Sequence, residues 1–193
     1  MQRYVNGVDA PHDESETPNM QPHTSQNADV TTYPPGLMSI NEIERLIDEQ
    51  FPQVHIGGRV FFIEAVGHSL ARMRMVEHEK NLRPGRTLSG PSMFQLADLA
   101  LYVAILATLG ERATQAVTTN LNINFLSRPA PGDLLADVSL VKVGRKLVIG
   151  EVELRAVANP QMVAHAIGTY ALPPMTRKAS ESNGNMIPPS TTY

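Results

Sequence analysis

The chain contains no cysteine. That excludes disulfides, thiolate catalysis and thiolate-ligated metal. It also lacks a basic excess: net charge is −3 and the sequence pI is near 6.1. A nucleic-acid binder would carry a basic patch or stripe, so none is expected as a partner. Met1–Ala10 holds no apolar run, and no secretory leader is read there. The longest apolar run, Leu99–Leu109, is too short by itself to span a bilayer. A soluble cytoplasmic protein with no membrane partner is the expectation. Metal-ligand spacing is missing too. Glu64, His68, His78 and Glu79 fall near strand ends but form no H-x-x-x-H or similar pattern, so no metal and no cofactor are expected.

What is present is enough for a core. Hydrophobic residues make up 42% of 193 and charged residues 18%, which suits one domain of ordinary size with tails. Residues 1–37 are rich in Pro, Asn, Thr, His and Asp without a period. They cannot order themselves and are read as a flexible or partner-draped extension, with His12 and His23 more often solvated than ligating. Residues 173–193 are polar and Pro/Ser-rich, a second tail. The domain is therefore expected at 38–172.

Within it, Ile40, Ile43, Leu46 and Ile47 have helical spacing opposite Glu42, Glu44 and Asp48, and Pro52 ends that helix. It has no second helix a few residues on, as a helix-turn-helix would. Ile56–Val66 and Ser69–Val76 read as strands. In the second, Ala71, Met73 and Met75 alternate with Arg72 and Arg74. Asn81–Gly85 is turn-rich. Four further strands are predicted at Val117–Leu126, Leu134–Val143, Leu147–Ala158 and Gln161–Ala171. In the first of these, Thr118, Asn120, Asn122 and Asn124 alternate with Val117, Thr119, Leu121, Ile123 and Phe125. Asn is unfavourable in strands. Its repetition on one face marks either a polar lining or a solvated sheet face. His165 reads as an ordinary strand residue.

The stretch Thr87–Gly110 organises the rest. Gly90-Pro91 opens a helix, because proline's missing N–H would be unpaired there anyway. Ser92 and Gln95 have capping-box spacing, an alternative start two residues later. Gly110 is the expected stop. The helix between is almost wholly apolar, so it is buried on most faces. It carries one carboxylate, Asp98. A buried charge needs a partner, so Asp98 is either structural or catalytic. The order helix, two strands, long helix, four strands reads as α+β with an antiparallel sheet wrapped on the long helix. Gly90 and Asp98 are ~12 Å apart along that helix. Free N–H groups at a helix start bind anions. One Asp98 cannot serve the anion held at its own helix start. Two antiparallel helices, each offering Asp98 to the other's start, would form shared sites.

Five segments in order resemble the hotdog-fold acyl-CoA thioesterases of the phenylacetate-degradation (PaaI-like) type. They are Ser89-Gly90-Pro91, Leu96-Ala97-Asp98, the strand Val117–Leu126, Arg128-Pro129-Ala130 with Gly132-Asp133, and Gly144-Arg145. The resemblance spans roughly residues 56–172. It implies a hotdog fold and hydrolysis of acyl-CoA thioesters to free acid and CoA, in a homodimer or homotetramer. Asp98 would be nucleophile or general base. Gly90 of the neighbouring subunit would donate its N–H to the oxyanion, and Thr118 would place water. Ser89, Pro91, Gln95, Asn120 and Asn122 would contact substrate. Two departures stand out: Ser89 replaces the family's His, and Pro91 replaces its second Gly. Arg83 aligns with a family Asn, with Asn81 close by.

Arg128, Arg145 and Lys146 lie in loops. They are either ordinary solvated cations or contacts to CoA phosphate, with Arg145 first. Leu96, Leu99, Met93 and Phe94 are candidates for an acyl pocket. A protein that binds acyl-CoA without turnover is the rival reading, and Ser89 and Pro91 motivate it. A hotdog hydratase is weaker, because no His lies near Gly90 or Asp98.

Overall fold

Ser39 is followed three residues on by Glu42, and this pair starts the first helix. In the computed structural model, which describes residues 33–174, α1 covers Ile40–Gln50. The Ser39 hydroxyl accepts from the Glu42 N–H while the Glu42 carboxylate accepts from the Ser39 N–H at 2.8 Å. These two bonds satisfy orphan groups at the helix start. Hydrogen bonds from Ser39 hold the Glu42 carboxyl below its ordinary value. Ile43, Leu46 and Ile47 are buried, the apolar stripe that the spacing predicts. The expectations for residues 1–32, including His12 and His23, and for the tail from residue 175 lie outside the described residues. Residues 33–37 lie against the fold. Leu37 N–H donates to the Ala107 carbonyl at 2.6 Å, and His68 N–H donates to the Pro34 carbonyl at 2.8 Å.

The strand expected from Ile56 begins later. Pro52–His55 forms a 3-10 turn, and Gly57 and Gly58 take φ of 77° and 104°. Positive φ is a turn conformation, which stops the chain from extending. β1 then runs Phe61–Gly67 and β2 Leu70–Met75. In β2 the alternation holds: Ala71, Met73 and Met75 are buried. Arg72 pairs with Asp137, and Arg74 with Glu64 and Asp133, on the other face. The turn-rich approach contains a short hairpin of β3, Leu82–Arg83, and β4, Thr87–Leu88.

α2 runs Gly90–Leu109. Its N-cap is Ser89, whose hydroxyl accepts from the Ser92 N–H at 3.2 Å, so the alternative start at Ser92 is not used. Gly110 closes it with φ of 66°. The helix with its following 3-10 turn, Gly90–Ala113, is long and apolar enough to cross a membrane. Here 72% of its most apolar window is buried inside the fold.

After it come β5 (Val117–Phe125), β6 (Leu134–Val143), β7 (Leu147–Ala156) and β8 (Asn159–Ala171). The main sheet has six antiparallel strands in the order β1-β2-β6-β7-β8-β5, and its inner face packs on α2. This is the α+β hotdog arrangement expected from the sequence. Gly150 on β7 and Gly168 on β8 are cross-strand partners. A Cβ at Gly168 would lie 2.5 Å from Leu101 Cδ1, and one at Gly150 2.7 Å from Leu101 Cδ2. The two glycines form a notch that lets Leu101 seat the helix closely on the sheet.

Candidate active site

Asp98 faces the β5–β8 end of the sheet and is half-buried. Its Oδ1 accepts from the Thr118 hydroxyl at 2.8 Å and from the Tyr170 hydroxyl at 2.7 Å. Strand register brings the two donors together, because Thr118 on β5 is paired directly with Tyr170 on β8. Among the described residues, Oδ2 has no hydrogen-bond partner. The carboxylate lines a cavity of about 610 Å³ with Phe51, Gln95, Leu99, Tyr102, Thr118 and Tyr170. Asp98 is the one charged side chain among the described residues that line it. Burial and the adjacent Asp98 charge push the Tyr170 phenol far above its ordinary range. Burial alone raises Tyr102. Both hydroxyls therefore stay protonated and act as donors near neutral pH.

Thr118 does not share a face with the asparagines. The β5–β8 register shifts between Thr118 and Asn120. The extra residue, Thr119, turns its hydroxyl to the Thr169 carbonyl at 3.0 Å. A bulge of this kind re-aims the side chains on either side of it. Thr118 consequently points to the helix with Tyr170, while Asn120 and Asn122 pair with Thr169 and Ile167 on the outer face. Both asparagines are exposed, and neither lines the Asp98 cavity. Asn124 Nδ2 donates to Asn122 Oδ1 at 3.4 Å, a contact along the same solvated face. His165, also on this face, pairs with Glu151.

The start of α2 opens elsewhere. Gly90 and Pro91 line a separate cleft of about 520 Å³ with Arg83, Phe125 and Arg128. The Gly90 N–H has no acceptor among the described residues. Pro91 has no N–H to offer. Ser89 is occupied as N-cap, its hydroxyl 2.8 Å from that of Ser92. Asn81, rather than Arg83, touches the helix start: its carbonyl accepts from the Ser89 N–H at 2.8 Å, and its side chain is buried. The Asp98 cavity and the Gly90 cleft share no lining residue.

The loop cations divide between these two ends. Arg128 lies in the Gly90 cleft. Arg145 and Lys146 sit in the β6–β7 turn, next to Leu147, which pairs with Ala171 beside Tyr170. Arg112 donates to the Arg145 carbonyl at 2.9 Å and ties that turn to the end of α2. The Arg145 and Lys146 side chains are exposed, with no partner among the described residues. Of the apolar pocket candidates, Leu99 lines the Asp98 cavity and Met93 the Gly90 cleft. Leu96 is wholly in the core, and Phe94 is exposed. No cluster of three or more His, Asp or Glu side chains able to hold a metal occurs among the described residues.

Tyr170, which bonds Asp98 directly, was not singled out from the sequence. Its strand position was legible, and a Tyr on the buried face of a strand must find a partner for its hydroxyl. That requirement was the available signal.

The family model described as the thioesterase superfamily matches residues 85–162. A candidate esterase of Halobacterium salinarum is 33% identical over 117 residues, which cover 56% of this chain and 77% of that protein. The crystal structure of a candidate thioesterase from Silicibacter sp. TM1040 is 37% identical, with a TM-score of 0.63 over 72% of this chain and 94% of that one. The PaaI protein of the Escherichia coli phenylacetic acid degradation operon has the same fold at 19% identity, with a TM-score of 0.57 over 68% of this chain and 91% of its own.

Proposed function

The chain belongs to the thioesterase superfamily, and from that premise we propose that it hydrolyses acyl-CoA thioesters to free acid and CoA. The observation that carries the proposal is Asp98 in its cavity, with both hydroxyl donors on Oδ1 and Oδ2 left for chemistry. Oδ2 either attacks the thioester carbonyl carbon or takes a proton from water that attacks it. In the first case the C–S bond breaks to give CoA and an acyl-aspartyl anhydride, which water then opens. In the second the acid and CoA form directly. Thr118, exposed at the cavity, is the hydroxyl suited to place the water.

Either path develops negative charge on the carbonyl oxygen, which needs a preorganised donor. Among the described residues the Gly90 N–H has no acceptor, and Gly90 lines a different cleft of the same chain. A second subunit resolves this. β5 is the last strand of the sheet order, with Val117, Phe125 and Leu126 exposed on or next to it. Pairing of two β5 edges about a two-fold axis sets the helices antiparallel and brings each Gly90 to the other subunit's Asp98. The active unit is thus a dimer, or a tetramer built as a dimer of dimers. The same operation carries Arg128 of one subunit toward the end where Arg145 and Lys146 of the other lie, giving cations for the CoA phosphates. Among the described residues Asp98 is the one charged side chain lining the cavity, which suits an uncharged acyl group. The enzyme is read as cytoplasmic, where acyl-CoA is available.

The test is Asp98→Ala assayed over a panel of acyl-CoA thioesters with detection of released thiol. Loss of at least about 100-fold in kcat is expected for a nucleophile or base. Turnover at the parent rate would end the proposal. Pro91, which removes one donor from the helix start, favours a rival reading of ligand binding without turnover. Saturable acyl-CoA binding by calorimetry with no thiol released by the parent would identify it.

A further inference from the structure

We propose that Tyr170 is a positioning residue: its buried hydroxyl fixes the Asp98 carboxylate through Oδ1 and so turns Oδ2 to the cavity. The inference rests on Asp98 being the reacting group, as read above.

The Tyr170 hydroxyl lies 2.7 Å from Asp98 Oδ1 and 2.8 Å from the Asp98 main-chain carbonyl oxygen. It has one proton and two acceptors, so the acceptors compete. The carbonyl already belongs to the helix ladder of α2, whereas the carboxylate carries charge. Hydrogen bonds to a charged acceptor are roughly twice as strong as neutral ones. In the resting site the proton is therefore directed to Oδ1. Once Asp98 has taken a proton or an acyl group, its charge is gone. The hydroxyl can then turn to the carbonyl at almost the same distance, with no heavy atom moving. Tyr170 is thus satisfied before and after the reacting step. That matters for a residue only 3% exposed, because a buried hydroxyl without a partner is costly.

The ring is held from behind. Tyr102 stacks on it with centroids 6.5 Å apart and an interplanar angle of 16°. The Tyr102 hydroxyl is itself anchored on the Thr114 carbonyl at 2.7 Å. The other donor to Oδ1, Thr118, is exposed to the cavity and free to exchange its partner with water. The two donors therefore divide the work, Tyr170 holding the carboxylate and Thr118 facing the substrate. Among the described residues, the titratable groups facing Asp98 are Tyr170 from β8 and Tyr102 from its own helix, and β5 contributes the neutral Val117 and Thr118.

Tyr170→Phe keeps the ring and removes the hydroxyl. The expected result is a fall of about tenfold or more in kcat, with KM for acyl-CoA within about twofold of the parent, because the hydroxyl orients Asp98 for reaction and does not touch the substrate. A second readout needs no activity. In protein labelled with 13C at tyrosine Cζ, the resonance that vanishes in Tyr170→Phe belongs to Tyr170. It should move in Asp98→Asn, which removes the charged acceptor and keeps the shape. Unchanged kcat in Tyr170→Phe, or a Tyr170 resonance indifferent to Asp98→Asn, overturns the assignment. A parent protein without thioesterase activity would fail the functional reading, while the resonance would still decide whether Tyr170 holds Asp98.

Discussion

Replacing Gly168 by alanine should loosen the helix seat on which the site depends. The added Cβ would lie 2.5 Å from Leu101 Cδ1 and 3.0 Å from Leu121 Cδ1, where ordinary contact begins at 3.4 Å. Leu101 cannot swing aside, because it is fully buried and its other methyl already fills the notch at Gly150. The strain must be relieved by lifting α2 or bending β8. Overpacking of this sort costs about 1–3 kcal/mol. For a chain of this size each kcal/mol lowers the melting temperature by roughly 2–4 °C. A drop of about 4–8 °C is expected near the middle of that range, measured by circular dichroism at fixed protein concentration. Leu101→Ala alone should cost about 2–5 kcal/mol by opening a cavity. Combined with Gly168→Ala it should cost less than the sum, since the new methyl enters vacated space. Leu101 is one turn beyond Asp98, so the single Gly168→Ala variant should also lower kcat as the hydroxyl of Tyr170 loses reach. An unchanged melting temperature in Gly168→Ala, or strict additivity in the double variant, would refute the notch.

Arg145→Ala should raise KM for acyl-CoA with kcat nearly unchanged, because a phosphate contact is made equally in ground and transition states. The same acyl group on a short thiol without the nucleotide should be unaffected, and the difference should shrink as salt rises. Equal losses on both substrates would make Arg145 structural. Tyr170 and Tyr102 are both pushed up by burial, so their neutral forms persist as pH rises. The profile of kcat/KM should therefore show no alkaline limb from the cavity tyrosines up to about pH 10, the ordinary tyrosine value. A fall centred below that value and abolished in Tyr170→Phe would contradict it.

The sequence carried the fold wherever periodicity was unbroken. α2, β2 and the four strands after the helix could be read from their patterns, because their apolar positions repeat toward the same core. It failed where a local turn broke the period. Gly57 and Gly58 interrupt what looked like a strand from Ile56. Thr119 inserts a bulge, so Thr118 and the asparagines, alike in the alternation, end on opposite faces. Asp98 was visible as a lone carboxylate in an apolar helix. Tyr170 was not, because its role depends on the β5–β8 register, which no local pattern encodes. Arg83 aligned with the family's Asn by spacing, yet Asn81 reaches the helix start through a turn and a two-residue hairpin that spacing alone does not resolve.

If the proposed site is divided between two subunits, two chains that are each inactive should complement one another. In the proposed site, Asp98→Asn would remove the reacting carboxylate, and Gly90→Pro would remove the oxyanion N–H at the first helical position, where proline is tolerated. Each homodimer should be inactive toward acyl-CoA. In a statistical mixture of the two chains, half of the dimers are mixed, and one of the two sites in each mixed dimer has both groups intact. Thiol release should return to about a quarter of the parent rate. A mixture as inactive as its components would mean that Asp98 and Gly90 act within one chain or not together, contrary to a shared site.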